Sequence, residues 1–264
     1  MLALFRTNQL LVGFLLIFYA GLLHIAAFVN PTDWQPLGYG VWSEWVYATI
    51  GASSFWPNIT AIVLLTAHAV FINVLMANYR LADNVTNLPG LFYILIASAL
   101  PEFLHLSPLL MANTFYLIAL SELLKVYRNP SCPDTIFNVG FWIAIGSFFY
   151  PSYLIFIIFG LIGMNSLRAF RLREWLMLIA GATVPYILLG VYFFLFDQLN
   201  RFIAAQFYDN FAFVDFQKYT GNEFYFKLAF VDLFLLVAIF SSNLYVFKKI
   251  MEVQKKISVL YWAL

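Results

Sequence analysis

The sequence predicts an all-α protein, a polytopic membrane helix bundle that forms a single transmembrane domain over residues 1–264. Three observations predict it. First, the chain is 63% hydrophobic and only 10% charged, whereas a soluble domain carries about 25% charged residues. Second, the apolar residues gather in runs near the length of about 20 residues that a membrane-crossing helix needs. Third, most basic residues fall in every second connecting segment.

The apolar runs predict eight transmembrane helices and the start of a ninth. They cover residues 9–29, 57–78, 88–104, 107–124, 135–150, 152–167, 173–196 and 224–247. The runs at 135–150 and 152–167 are short, so this pair either spans fully in a tilted arrangement or is re-entrant. A last run begins at Ile257 and stops at Leu264. It is either the start of the ninth helix or an interfacial tail.

The distribution of basic residues predicts the orientation, because positively charged loops stay in the cytoplasm. Of the 14 Lys and Arg residues, only Arg201, Lys218 and Lys227 fall in the alternate set of segments. We therefore expect a cytoplasmic N-terminus and a multi-pass protein of the bacterial inner (cytoplasmic) membrane. One cytoplasmic segment carries three arginines expected to contact lipid phosphates: Arg168, Arg171 and Arg173.

Two outer loops are long and rich in aromatic residues. The first, residues 30–56, contains "GVWSEWVYATIG" and no basic residue. The last, residues 197–223, mixes phenylalanines with acidic residues. Aromatic rings of this kind favour the membrane surface, so each loop is predicted to hold an interfacial helix.

Four polar residues within the apolar runs need an explanation, because an ionisable group inside a membrane helix is costly. We expect all four to be buried against protein: His24, His68, Asn113 and Asp232. His24 is predicted to be a neutral hydrogen-bonding group between helices. Asp232 lies on a stripe with Leu236 and Asn243 at helical spacing, which favours a face turned toward protein.

Glu102 and His105 lie in a break between two apolar runs, from Pro101 to Pro108. In one interpretation this break is an outward-facing turn that meets interfacial water. In the other, Glu102 and His105 line an outward-facing cavity together with His24, Asn113 and Asp232. An acid beside a histidine could then act as a general base.

Several function classes are disfavoured. The single Cys132 allows no internal disulfide and no cysteine metal cluster. The three histidines lack metal-ligand spacing, so no metal site is predicted. We find no phosphate-binding or dinucleotide-binding motif and expect no cofactor. The net charge of +1 gives no indication of a nucleic-acid partner.

Residues 134–195 carry a Gly-aromatic run that ends in "YP" at 150–151, then "RLREW" at 171–175 and "PY" at 185–186. This stretch, with "LPGLFYILIASALPEFLHLSPLLMANTFYLIAL" at 88–120, resembles an uncharacterised family of bacterial polytopic inner-membrane proteins. Some members of that family carry an unsupported beta-carotene monooxygenase label. The resemblance implies an inner-membrane location and no established activity. An iron oxygenase needs clustered histidine ligands, which the sequence lacks.

Three functions are compatible with the sequence. The favoured hypothesis is a non-catalytic integral subunit or scaffold of a cell-envelope complex, in contact with the lipid bilayer and with other membrane or envelope subunits. The alternative is a multi-spanning lipid-linked sugar transferase-like enzyme, with Asp33 and Glu44 as base or metal-binding candidates and Glu102 nearby. The third is a small transporter that uses His68 and Asp232 as coupling groups.

Overall fold

The computed structural model describes residues 10–25, 28, 40–51, 55–82, 86–127, 129, 132–208 and 251–262, together with six single positions between 229 and 240. Within these ranges the chain is all-helical and contains no strand. The all-α prediction is therefore confirmed for the described part of the chain.

Between Phe55 and Tyr208 the helices follow one another with short connections. In chain order they are α1 (Leu10–Leu23), α2 (Val41–Ile50), α3 (Phe55–Asn78), α4 (Leu88–Ser98), α5 (Pro101–Leu104), α6 (Pro108–Lys125), α7 (Pro133–Ser147), α8 (Phe156–Leu167), α9 (Leu172–Leu195), α10 (Leu199–Ile203) and α11 (Met251–Trp262). A 3₁₀ turn, Pro151–Ile155, precedes α8, and a π-helical turn, Ala204–Tyr208, follows α10.

Prolines mark where several helices begin. Pro101, Pro108 and Pro133 each lie in the first turn of their helix, where a missing backbone N–H costs nothing. Ser107 caps α6, because its hydroxyl accepts a hydrogen bond from the Leu110 N–H at 3.0 Å. This capping satisfies one of the four free N–H groups at the helix start. The break between the two predicted runs is therefore encoded locally.

Helices α7 and α9 cross at two glycines. A Cβ atom on Gly140 would overlap the backbone carbonyl of Leu178, and one on Gly181 would overlap that of Phe137. Glycine at both positions allows the two backbones to come into direct contact. This close approach is the usual role of small residues between membrane helices.

The short helix α2 is attached to the end of α7 by backbone hydrogen bonds. The Gly40 N–H donates to the Phe149 carbonyl at 2.9 Å, and the Trp42 N–H donates to the Phe148 carbonyl at 3.1 Å. A Cβ on Gly40 would overlap the Phe148 carbonyl, so this contact also needs glycine. The predicted helix in "GVWSEWVYATIG" is confirmed, and its position against α7 is fixed by the backbone.

The connections gather at two ends of the bundle. At one, which we call the Trp42 end, α2, the α4–α6 break and the end of α7 meet: Tyr47 donates its hydroxyl proton to the Leu106 carbonyl, and Gly40 bonds Phe149. At the other, which we call the Cys132 end, the last turns of α3 and α6 meet, and so do the end of α8 and the start of α7. The Tyr79 hydroxyl donates to the Ser121 carbonyl at 3.0 Å, and Arg168 donates to the Cys132 sulfur. The largest buried cluster lies among α6, α7, α8, α9 and α11, and a second lies among α1, α3 and α4.

Two described helices, α3 and α9, are long and apolar enough to cross a membrane, judged by length and composition alone. They match the predicted runs at 57–78 and 173–196. The predicted run at 88–104 is divided between α4 and the short α5, and the run at 152–167 between a 3₁₀ turn and α8. The run at 224–247 lies largely outside the described residues. The count of eight spans therefore stays a prediction.

Candidate functional site

A polar network links α3, α4 and α6 inside the bundle. The His68 Nε2 atom lies 2.8 Å from the Thr114 hydroxyl, and its Nδ1 atom lies 3.2 Å from the Tyr93 hydroxyl. The Asn113 amide donates to that Tyr93 hydroxyl at 2.7 Å. A neutral imidazole has one donor and one acceptor nitrogen, and both hydroxyls can fill either role. The network therefore satisfies His68 internally and holds the three helices in register.

His24 and His105 flank the α4–α6 break. The His24 ring lies between two carbonyl oxygens, with Nδ1 2.8 Å from that of Ala20 and Nε2 3.2 Å from that of Phe103. His105 Nδ1 lies 2.9 Å from the Asn58 side-chain oxygen. Burial lowers the pKa of His105 below its usual value, and the electrostatic interaction with the neighbouring His24 ring lowers it further. His24 is fully buried, as predicted.

A cavity with a volume of about 710 Å³ lies at the Trp42 end. Its walls come from α2, α9 and α10 and are mostly aromatic or aliphatic. Glu44 and Arg201, which both line it, form a partly exposed ion pair, with Arg201 Nη2 3.0 Å from Glu44 Oε2. The predicted candidate Glu44 therefore lies in a cavity, but its carboxylate is already paired with a guanidinium.

The side chains of Ser147, Tyr186 and Gln206 form a largely buried polar cluster next to Pro185, which lies inside α9. The Ser147 hydroxyl lies 2.7 Å from the Tyr186 hydroxyl, and the Gln206 amide donates to the Ser147 carbonyl at 2.7 Å. The cluster fixes the π-helical turn Ala204–Tyr208 against α7 and α9. We assign it a structural role, since its bonds join α7, α9 and the π-helical turn.

At the Cys132 end, Arg168 is turned inward. Its Nη1 donates to the Cys132 sulfur at 3.0 Å, and its Nη2 lies 3.3 Å from the Glu174 carboxylate. The Arg168 side chain is only 12% exposed, so it is not available to a lipid phosphate as the sequence suggested. Arg171 and Arg173 are exposed, so their contact with lipid phosphates stays a prediction. Burial raises the pKa of the Cys132 thiol, while the Arg168 charge opposes the rise.

Helix α11 is fixed at the same end by a buried lysine. The Lys256 ammonium is 2.6 Å from the Glu252 carboxylate and 4.8 Å from the centre of the Tyr79 ring. A second ring, Tyr127, lies at 5.6 Å. The ion pair and the two cation–π contacts compensate for burying this charge.

Asp232 corrects one prediction. It was expected on a face turned toward protein, but it is exposed. The described residues around it, Leu233, Leu236 and Phe240, are exposed as well. Within the described part of the chain, no helix covers Asp232, and Asn243 of the predicted stripe lies outside the described residues.

The remaining predicted residues are only partly described. Asp33 and the side chain of Glu102 lie outside the described residues, so their proximity to Glu44 or His105 is untested. Asn113 belongs to the His68 network, whereas His24 and His105 belong to the α4–α6 break. In the described chain, no group of three His, Cys, Asp or Glu side chains could hold a metal ion. The transferase and transporter alternatives stay predictions.

Sequence reasoning missed several partners. Tyr93 and Thr114 give the His68 network its hydrogen bonds, and Arg201 pairs with Glu44 across 157 positions of sequence. Thr114 had a weak signal, since it follows Asn113 in an otherwise apolar helix. Arg201 had another signal, since it is one of only three basic residues in the predicted outer segments.

The chain was compared with known proteins at three levels. No family model, curated protein or solved structure matches it. The described part of the chain is therefore defined as all-helical, with two helices long and apolar enough to cross a membrane, and its function has to be argued from its own residues.

Proposed function

We propose that this chain is a multi-pass protein of the bacterial inner membrane and serves as a non-catalytic subunit or scaffold of a cell-envelope complex. The observation that carries the proposal is the exposed face around Asp232. A carboxylate on an apolar membrane helix costs roughly 2.5–3.5 kcal/mol at mid-helix on insertion scales. Leu233, Leu236 and Phe240 beside it are more than half exposed. A second membrane protein that covers this face and offers the carboxylate a cation or hydrogen-bond donors would lower the cost.

The two ends of the bundle support the membrane location. The predicted cytoplasmic residues Lys125, Arg168 and Lys256 all lie at the Cys132 end, whereas the predicted outer segments meet at the Trp42 end. Between the ends, α9 exposes large apolar side chains along its length, including Leu176, Leu188 and Leu195, each more than half exposed. Such a surface suits lipid tails or another apolar helix.

The internal polar groups support a structural role over a catalytic one. His68 and His24 each have partners on neighbouring helices. The Glu44 carboxylate is paired with Arg201. Contacts of this kind hold helices together, and they support a structural role for these residues.

The test is extraction under native conditions followed by mass spectrometry of the intact assembly. We expect a partner at fixed stoichiometry, and we expect Asp232→Ala to lose that partner. Leu188→Ala is the matched control, because it truncates an exposed residue on a different helix and should keep the partner. Both variants should be extracted at wild-type levels.

Two results would contradict the proposal. A chain that is extracted as a clean monomer and converts a substrate would overturn the subunit role. A partner retained fully by Asp232→Ala would show that the Asp232 face is not the interface. The exposed face would then no longer support a subunit role.

A further inference from the structure

The cavity at the Trp42 end combines an apolar interior with a single ion pair at its mouth. Its walls include Trp42, Phe193 and Phe202. Trp42 is held against Phe148 at a ring-centre distance of 5.2 Å, and Phe193 stacks on Phe202 at 5.3 Å. These contacts pack the aromatic walls against neighbouring rings. A volume of about 710 Å³ falls within the range of roughly 300–1,000 Å³ that is usual for small-molecule sites.

The ion pair at the mouth is open to exchange. The Arg201 side chain is 67% exposed and that of Glu44 is 40% exposed. Exposed pairs of this kind contribute only about 0–1 kcal/mol to stability. A ligand that offers one anionic and one cationic group can therefore replace the internal pair with two external ones at little cost.

The charges specify the ligand. Arg201 and Glu44 are the charged residues among those that line the cavity, so its lining carries no net charge. A guanidinium binds phosphate through two parallel N–H donors. A carboxylate accepts hydrogen bonds, which a primary ammonium donates and a quaternary ammonium cannot. A phosphate and a primary ammonium on one molecule, joined to an apolar chain, meet all these requirements.

We propose that this cavity binds an ethanolamine phospholipid, with its phosphate on Arg201, its ammonium on Glu44 and an acyl chain along the aromatic walls. Gln198, which also lines the cavity, adds an amide that can both donate and accept hydrogen bonds. The inference rests on the proposed membrane location and not on the partner subunit. Labelling of the two ends tests that location separately.

The experiment uses the full chain in detergent with added phosphatidylethanolamine, phosphatidylcholine or phosphatidylglycerol. The unfolding temperature at each lipid concentration gives an apparent affinity, and native mass spectrometry identifies the lipid that stays bound. We expect the ethanolamine lipid to bind most tightly, the choline lipid less and the anionic glycerol lipid least. Because one charge-assisted hydrogen bond is lost, Glu44→Gln should weaken the binding of the ethanolamine lipid by roughly tenfold or more.

A double exchange, Glu44→Arg with Arg201→Glu, separates binding from structure. It restores an ion pair but places each charge where the headgroup needs the opposite one. We expect wild-type unfolding without lipid and no recovery of the ethanolamine preference. Glu122→Gln is the control, because Glu122 pairs with Lys125 at the other end of the bundle and should leave lipid binding unchanged.

Three outcomes would overturn the proposal. One is equal or tighter binding of the anionic lipid, which would indicate an anion site. Another is full lipid affinity in the double exchange, which would make the pair purely structural. The third is that no added lipid shifts the unfolding temperature or stays bound.

Discussion

The crossing of α7 and α9 gives the sharpest stability prediction. Alanine at Gly140 or Gly181 adds one methyl group at a point where the facing atoms are backbone. Besides the overlapped carbonyl oxygens, the added Cβ would lie 2.9 Å from the Ala182 nitrogen in the first case and 2.9 Å from the Phe137 carbonyl carbon in the second. Non-bonded carbon atoms are most stable at about 3.5–4.0 Å, so the helices must part by roughly 1 Å.

The cost follows from this separation. Overpacking by one methyl group costs about 1–3 kcal/mol when the neighbours cannot move aside, and backbone atoms cannot rotate away as side chains do. For a chain of this size, each kcal/mol lowers the unfolding temperature by roughly 2–4 °C. The double variant Gly140→Ala with Gly181→Ala should lose less than the two single losses combined, because the first methyl group already parts the helices.

The assay uses the only cysteine of the chain. Cys132 is buried, so a dye that fluoresces on reaction with thiols reports unfolding as the temperature rises. Gly190→Ala is the matched control, since it lies on the same helix α9 and a Cβ there meets no atom within 4 Å. We expect this control to be unchanged or slightly more stable, by up to about 1 kcal/mol from helix propensity. The close contact would be refuted if Gly140→Ala and Gly181→Ala unfold at the wild-type temperature. It would also be refuted if the Gly190→Ala control lowers the unfolding temperature by as much as they do.

Two further predictions concern the polar contacts. Asn73→Ala should cost roughly 1–3 kcal/mol, because it leaves the buried Gly90 N–H without the side-chain oxygen that accepts it at 2.7 Å; thermal unfolding measures this, and a neutral effect would contradict it. Since the pKa of His105 is lowered in the folded chain, the unfolded chain takes up the proton first as pH falls through about 6.5, and stability declines there. His105→Asn should flatten that decline. His24→Asn should raise the pKa of His105, which NMR of the labelled histidines can measure.

Much of the helical structure follows from local signals in the sequence. Apolar runs located α3, α6 and α9 closely, and Pro101 and Pro108 marked the break between α4 and α6, because proline is accommodated most readily in a first helical turn. The helix in residues 41–50 was predicted from its aromatic pattern. These features depend on neighbouring residues alone.

The candidate site was less predictable because its contacts are distant in sequence. The pairing of Glu44 with Arg201 needs α2 to be bonded to the end of α7, and that depends on Gly40 lying against a backbone carbonyl. The inward turn of Arg168 needs Cys132 within reach. The exposure of Asp232 depends on which helices cover one face, and helical periodicity gives a face without saying what covers it.

The most direct test of the central claim is the placement of the two ends relative to a bilayer. In a chain with Cys132→Ser, single cysteines replace Thr49, which is exposed at the Trp42 end, or Arg171, which is exposed at the Cys132 end. With intact spheroplasts and an impermeant maleimide, we expect the cysteine at position 49 to be labelled from outside and that at position 171 only after the membrane is permeabilised. Labelling of both from the same side would contradict a bundle that crosses the membrane between its two ends.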